Sequence, residues 1–197
     1  MTLINPIFTI GHSTHTGDAF LELLNKHNID VVADVRSFPH SRFNPQFSKE
    51  NLESNLRKHR IRYVFLGKEL GGRPQDPSCY VKGQVLYERI AQTPLFRAGI
   101  ERVKKGANKY RIVLMCAEKD PINCHRTLLV ARYLAEEGAQ VIHIHPDGNL
   151  EPHEVAMSRL AKLLNTPEES LFQFKDEIAA AIAKQEKRIA YRTSHTA

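Results

Sequence analysis

Short runs of β-branched and aliphatic residues recur along the chain, and helix-spaced apolar positions follow most of them. Ile7-Phe8-Thr9-Ile10 is the first run. Behind it Thr16 offers an N-cap to a helix carrying Phe20, Leu23 and Leu24 on one face. Val31-Val32-Ala33-Asp34-Val35 reads as a second, buried strand, with Ser48 as cap of a helix presenting Leu52 and Leu56. Tyr63-Val64-Phe65-Leu66, Ile112-Val113-Leu114-Met115 and Val141-Ile142-His143-Ile144 give three more strands. Strands separated by helices imply parallel pairing, because a parallel return needs a crossover. The pattern therefore predicts an α/β protein of three layers, helix-sheet-helix, with a mainly parallel central sheet of about five strands.

Between the third and fourth strands, Gly67 to Gly83 is rich in Gly and Pro and lacks apolar periodicity, which predicts a long loop with a functional role. Its glycines permit hinge-like changes, so it is expected to cover a pocket and carry Glu69 and Arg73 into it. Helices are expected at 84–92 and 95–105, divided by Pro94. The helix after the fourth strand carries Leu128, Leu129, Ala131 and Leu134 and stops near Gly138. Residues 1–150 thus form an α/β core, and 151–197 a helical extension packed on it. The second of the extension's two helices opens at Thr166-Pro-Glu-Glu169, and its Lys184-Gln-Glu-Lys-Arg tail reads as solvated.

Composition narrows the class. With 197 residues and 42% hydrophobic content the chain suits one compact domain. No apolar run approaches the roughly 20 residues needed to cross a bilayer, and the start of the sequence lacks a secretion pattern, so no membrane partner and a cytoplasmic location are expected. Three cysteines, Cys79, Cys116 and Cys124, are expected as free thiols. A formal charge of +6 favours anionic partners.

Ligands of open parallel sheets bind beyond the carboxyl ends of the strands. Those ends lead into Gly11-His12-Ser13-Thr14, into Asp34-Val-Arg36-Ser37 and on through Arg42-Phe43-Asn44, into Gly67-Lys68-Glu69-Leu-Gly-Gly-Arg73, and into Cys116-Ala-Glu118-Lys-Asp120. Arg36, Arg42, Arg73 and Arg126 suggest an anion site, since guanidinium groups bind phosphate or carboxylate in a bidentate fashion. The residues expected to bind substrate are Ser13, Arg36, Arg42, Asn44, Lys68, Glu69, Arg73 and Arg126. Pairing of these arginines with Asp34, Glu69 or Glu118 is the structural alternative.

Asn123-Cys124-His125-Arg126 is expected to open a helix whose free N–H groups stabilise a thiolate. Cys116 or Cys124 is then the nucleophile, His12 or His125 moves protons, and Asp34 and Glu118 orient these groups. Two buried, inert cysteines are the plain alternative. A phosphatase loop sets its cysteine and arginine closer together than Cys116 and Arg126 stand. His12, Cys116, Cys124 and His125 are all suitable metal ligands, but their spacing matches no finger or ribbon pattern, and an adjacent Cys-His pair seldom turns both side chains to one ion. No metal and no cofactor are therefore expected, and no dinucleotide or Walker motif is present. His143 and His145 alternate on their strand, as on a polar face.

Taken together, Ile10-Gly-His-Ser-Thr14, Asp34-Val-Arg-Ser37 through Asn44, Leu66-Gly-Lys-Glu-Leu-Gly-Gly-Arg73 and Cys116 to Arg126 resemble the bacterial and archaeal proteins grouped as domain of unknown function 488, over about residues 7–150. The resemblance implies an α/β fold and a shared pocket built from these motifs, and assigns no reaction. The residues favour an enzyme acting on an anionic small molecule, phosphate-bearing or nucleotide-like. The alternative is a non-catalytic nucleic-acid binder using basic residues with Phe38, Phe43 and Tyr80 as stacking faces. A structural domain without chemistry is disfavoured by so many His, Arg and Cys residues at strand ends.

Overall fold

A computed structural model of the chain describes residues 5–164 and 171–193. The expected runs form the parallel strands β1 (Ile7–Gly11), β2 (Val31–Asp34), β3 (Arg62–Phe65), β6 (Ile112–Cys116) and β7 (Val141–Ile144). A sixth strand, β8 (Leu150–Pro152), returns antiparallel to β7, and the sheet order is β3-β2-β6-β1-β7-β8. This strand lies across the expected boundary at residue 150.

Alternation along the strands sends two sets of side chains to opposite faces. Phe8, Ile10, Val32, Val113 and Met115 pack with α1 (Gly17–Lys26) and α2 (Lys49–Lys58) through Phe20, Leu24, Leu52 and Leu56. Ile7, Val31, Ala33, Ile112 and Leu114 form the other layer with the remaining helices. Each face is thus covered, which is why the parallel strands read as continuous apolar runs.

The segment expected as an open loop is structured. It holds the one-turn helix α3 (Gly67–Leu70), a 3-10 turn at Pro77–Cys79 and a hairpin of β4 (Tyr80–Val81) and β5 (Gln84–Val85). The hairpin turn is Lys82-Gly83, both residues with positive φ. Because β5 uses residues 84 and 85, α4 begins later than expected and spans Tyr87–Gln92. Thr93 then caps α5 (Pro94–Ala107), with Pro94 inside its first turn.

The chain after β6 also departs from one regular helix. A 3-10 turn at Pro121–Asn123 leads to extended Cys124, a π-helical segment at Arg126–Ala131 and then α6 (Arg132–Glu136). Ser48 does precede α2, but its hydroxyl accepts from Ser41 N–H at 3.2 Å and so ties down the 38–44 loop instead of capping the helix.

Helix α7 (His153–Leu163) follows β8 directly, and α8 (Leu171–Ile189) returns across the molecule; the expected cap at Thr166 lies outside the described residues. The tail of α8 is only partly solvated. Lys184, Lys187 and Arg188 are exposed, but Gln185 is buried and its Nε2 donates to Asn123 Oδ1 at 2.6 Å, while Glu186 pairs with Arg132 at 2.9 Å. Among the described residues no helix is long and apolar enough to cross a membrane.

Candidate functional site

The chain leaves β1 toward β2 on one side of the sheet and leaves β6 toward β7 on the other. β1 and β6 are neighbours, with Gly11 opposite Cys116, so their carboxyl ends bound a crevice at the topological switch point. A cavity of about 290 Å³ opens there. The β6 exit loop crosses the end of β1 so closely that a Cβ on Gly11 would stand 1.9 Å from Glu118 O. Arg126 holds this loop from below, donating from Nη1 to Glu118 O at 2.7 Å.

Cys116, Glu118, Cys124 and His125 form the cavity floor, and one ligating atom from each lies within 4.8 Å of the other three. His125 Nδ1 is 3.7 Å from Cys116 Sγ and 3.9 Å from Cys124 Sγ. Its Nε2 is 2.9 Å from Val35 O, which only a protonated Nε2 can satisfy, so Nδ1 turns its lone pair to the sulfurs in the neutral ring. Cys124 Sγ accepts from Arg126 N–H at 3.3 Å and lies 2.8 Å from Glu118 Oε2. Glu118 is exposed as a residue, but this carboxylate oxygen is turned inward.

Burial alone would raise the Cys124 thiol, but a hydrogen bond with Cys116 and the charges of Arg126 and His125 outweigh it and bring Cys124 well below an ordinary thiol. Cys116 goes the other way, raised by burial and by its Cys124 neighbour. Burial and the Cys124 charge also raise Glu118. Of the two thiols, Cys124 is thus the one whose surroundings favour ionisation.

A second group stands beside the floor. Asp34 is fully buried and binds Arg36 in a bidentate manner, Nε at 2.9 Å and Nη2 at 2.6 Å, while accepting from Tyr63 Oη at 2.8 Å. Arg36 Nη2 also donates to Phe47 O at 2.8 Å, which leaves Nη1 for the cavity, 3.3 Å from His12 Nε2. His12 stacks on Phe47 and places Nδ1 3.0 Å from Ser13 O. Asp34 thus fixes a guanidinium and an imidazole at the cavity edge.

The remaining expected residues divide. Arg73 reaches the cavity, its backbone N–H bound to Ser37 Oγ and its guanidinium over the Tyr191 ring. Arg126 is 0% exposed and donates to the Glu118 and Lys119 carbonyls, beneath the floor. Arg42 is exposed and stacks on Phe43, and neither Asn44 nor Ser13 lines the cavity. Glu69 pairs with Arg102 and, with Lys68, faces a separate groove. Sequence reasoning missed Tyr87, Asn123, Ile189 and Tyr191 as cavity walls. Ile189 ends α8 and Tyr191 follows it, and an apolar Ile-Ala-Tyr at the end of a charged stretch was their only local signal.

His143 and His153 form a buried pair below the site, with Thr9 Oγ1 2.8 Å from His143 Nδ1 and His143 Nε2 3.2 Å from His153 Nδ1. Burial pushes His153 down to about 4 and His143 well below its ordinary value. A histidine lowered on folding contributes its full stability above the unfolded value of about 6.5 and loses it as pH falls toward the folded value. Urea unfolding should therefore show stability falling between about pH 6.5 and pH 4, by on the order of 3 kcal/mol for His153 alone. His153→Gln should flatten that fall; an identical profile in the variant would show that this histidine is not held neutral.

Fold and floor define a class: a parallel α/β protein whose thiol, imidazole and carboxylate groups meet at the switch point of the sheet. The family model described as domain of unknown function DUF488 matches residues 16–134, and the chain belongs to that family. The matched stretch carries Asp34, Arg36, Arg73, Cys116, Glu118, Cys124 and His125, whereas His12 and Tyr191 fall outside it. No curated protein and no solved structure matches the chain.

Proposed function

We propose that the protein is an enzyme acting on an anionic substrate, phosphate-bearing or nucleotide-like, bound above Cys116 and Cys124. The observation that carries this reading is the convergence of two thiols, an imidazole and a carboxylate on the floor of a cavity rimmed by Arg36, Arg73 and His40. Packing alone gives no reason to gather such groups in a cleft. Arg73 has no carboxylate partner among the described residues, so its guanidinium is available to an incoming anion.

Calorimetric titration with inorganic phosphate, at constant ionic strength, tests the binding half. Wild-type protein should bind, and Arg73→Ala should bind at least about tenfold more weakly, as expected for loss of a charge-assisted hydrogen bond. Equal affinity in the two proteins would refute the anion site. Turnover among nucleoside phosphates and phosphoesters should vanish in Cys124→Ser. A second reading, nucleic-acid binding without catalysis, is favoured by Phe38 and Phe43, which are 66% and 87% exposed beside Arg42. In that case Phe38→Ala would weaken binding of single-stranded nucleic acid while Cys124→Ser would not.

A further inference from the structure

The floor gathers four side chains that can each offer an electron pair to one point. Cys124 Sγ lies 2.8 Å from Glu118 Oε2, and Cys116 Sγ and the His125 lone pair face the same point. Four electron-pair donors are gathered there, and no lysine or arginine side chain is bonded to any of them among the described residues. Arg126 spends Nη1 and Nη2 on the carbonyls of Glu118 and Lys119, and Arg36 is held by Asp34. With the His125 ring neutral, two ionised thiols and the Glu118 carboxylate repel one another, and a cation at their centre removes that repulsion.

The dimensions fit one ion. A tetrahedral centre with metal–sulfur bonds of about 2.3 Å and metal–nitrogen bonds of about 2.0–2.1 Å sets sulfur and nitrogen roughly 3.5 Å apart. The observed separations are 3.7 and 3.9 Å. His125 is oriented as metal-binding histidines usually are, with its far nitrogen donating to a backbone carbonyl, here Val35 O at 2.9 Å, and its near nitrogen free to ligate.

The adjacent Cys124 and His125 can share an ion because the backbone changes between them. Cys124 is extended at φ −139°, ψ 141°, and His125 is helical at φ −60°, ψ −27°, which brings both side chains to one side. We infer that Cys116, Cys124 and His125 bind one zinc-like divalent cation and that Glu118 faces its open fourth position. This deepens the enzyme reading and rests on it for its chemical purpose. With three protein ligands, the fourth position takes water. That water would pass a proton to the Glu118 carboxylate, the hydroxide would add to the phosphorus of the substrate, and the leaving group would depart with the proton returned by Glu118. The thiolates are then ligands, and water is the nucleophile.

The full-length chain, stripped with a chelator, is to be titrated with cobalt(II) and then with zinc(II), following the visible spectrum. One equivalent of cobalt should give the intense bands of a tetrahedral site with sulfur-to-metal charge transfer, and zinc should abolish them. Cys116→Ser and Cys124→Ser should lose this spectrum, whereas Glu118→Gln and Cys79→Ser should keep it. In the wild-type chain bound zinc should slow alkylation of Cys116 and Cys124 but not of Cys79, a readout independent of any variant's folding. Absence of stoichiometric cobalt binding, or alkylation unaffected by zinc, would overturn the site. A chain that binds phosphate through Arg73 yet takes up no metal would end this inference and leave the enzyme reading standing. One that holds the metal without Arg73-dependent phosphate binding would do the reverse.

Discussion

Asp34→Ala should destabilise the protein by about 3–5 kcal/mol, the cost of leaving one member of a buried ion pair without its partner. The carboxylate is fully buried and accepts from the Arg36 side chain, the Arg36 N–H and Tyr63 Oη. Without it the Arg36 guanidinium, itself buried, keeps only Phe47 O and His12. Replacing both members, as Asp34→Ala with Arg36→Met, should cost less than the sum of the single changes, because no uncompensated charge remains. The exposed Arg57–Glu53 pair gives the contrast: at 3.7 Å on the surface, its removal through Glu53→Ala should cost under about 1 kcal/mol. Urea denaturation of the four variants checks the ranking, and equal losses at Asp34 and Glu53 would show that burial of the pair does not set its energy.

Gly11→Ala should damage the site through the addition of a single carbon atom. The new Cβ would meet Glu118 O at 1.9 Å, and that carbonyl is bound by Arg126, so the clash falls on backbone that a side-chain rotation cannot relieve. Overpacking of this kind costs typically 1–3 kcal/mol. The larger effect is positional. Moving the 117–120 turn shifts Glu118 relative to Cys124, and phosphate affinity should fall together with stability. Gly138→Ala meets open space and bears only the strain of a φ of +85°, so it should lower the melting temperature slightly and leave phosphate binding intact. Parallel phosphate titrations of both variants decide the point, and unchanged affinity in Gly11→Ala would contradict the close-approach account.

The inner parallel strands were legible because burial on both faces writes itself as a largely apolar run, as in Val31–Asp34 and Ile112–Cys116, whereas β3, a half-exposed edge, showed only as Tyr-Val-Phe. β8 was not, since Leu-Glu-Pro is too short to show a period and is defined by pairing with β7. The hairpin in the 67–83 segment had a local cue, Lys82-Gly83 between Tyr-Val and Gln-Val, which glycine-rich surroundings obscured. Strand ends located His12, Asp34, Arg36, Cys116 and Glu118 because topology alone gathers them. It could not say which arginine meets the cavity. Arg126 follows β6 in sequence yet turns beneath the floor, and Arg73, carried by a separate segment, comes to the rim.

Ile189 at the end of α8 and Tyr191 just after it close one wall of the cavity, and both lie beyond the stretch that the family model matches. The backbone carbonyl of Tyr191 accepts from Val85 N–H at 3.0 Å, and Thr193 N–H donates to Gly83 O at 2.8 Å, so residues 191–193 are laced to the β4–β5 hairpin as an added edge. The floor residues Cys116, Glu118, Cys124 and His125 thus fall inside the family match, and this wall falls outside it. Under the proposed reading, substitution at Ile189 or Tyr191 would reshape the cavity wall and leave Cys116, Glu118, Cys124 and His125 in place.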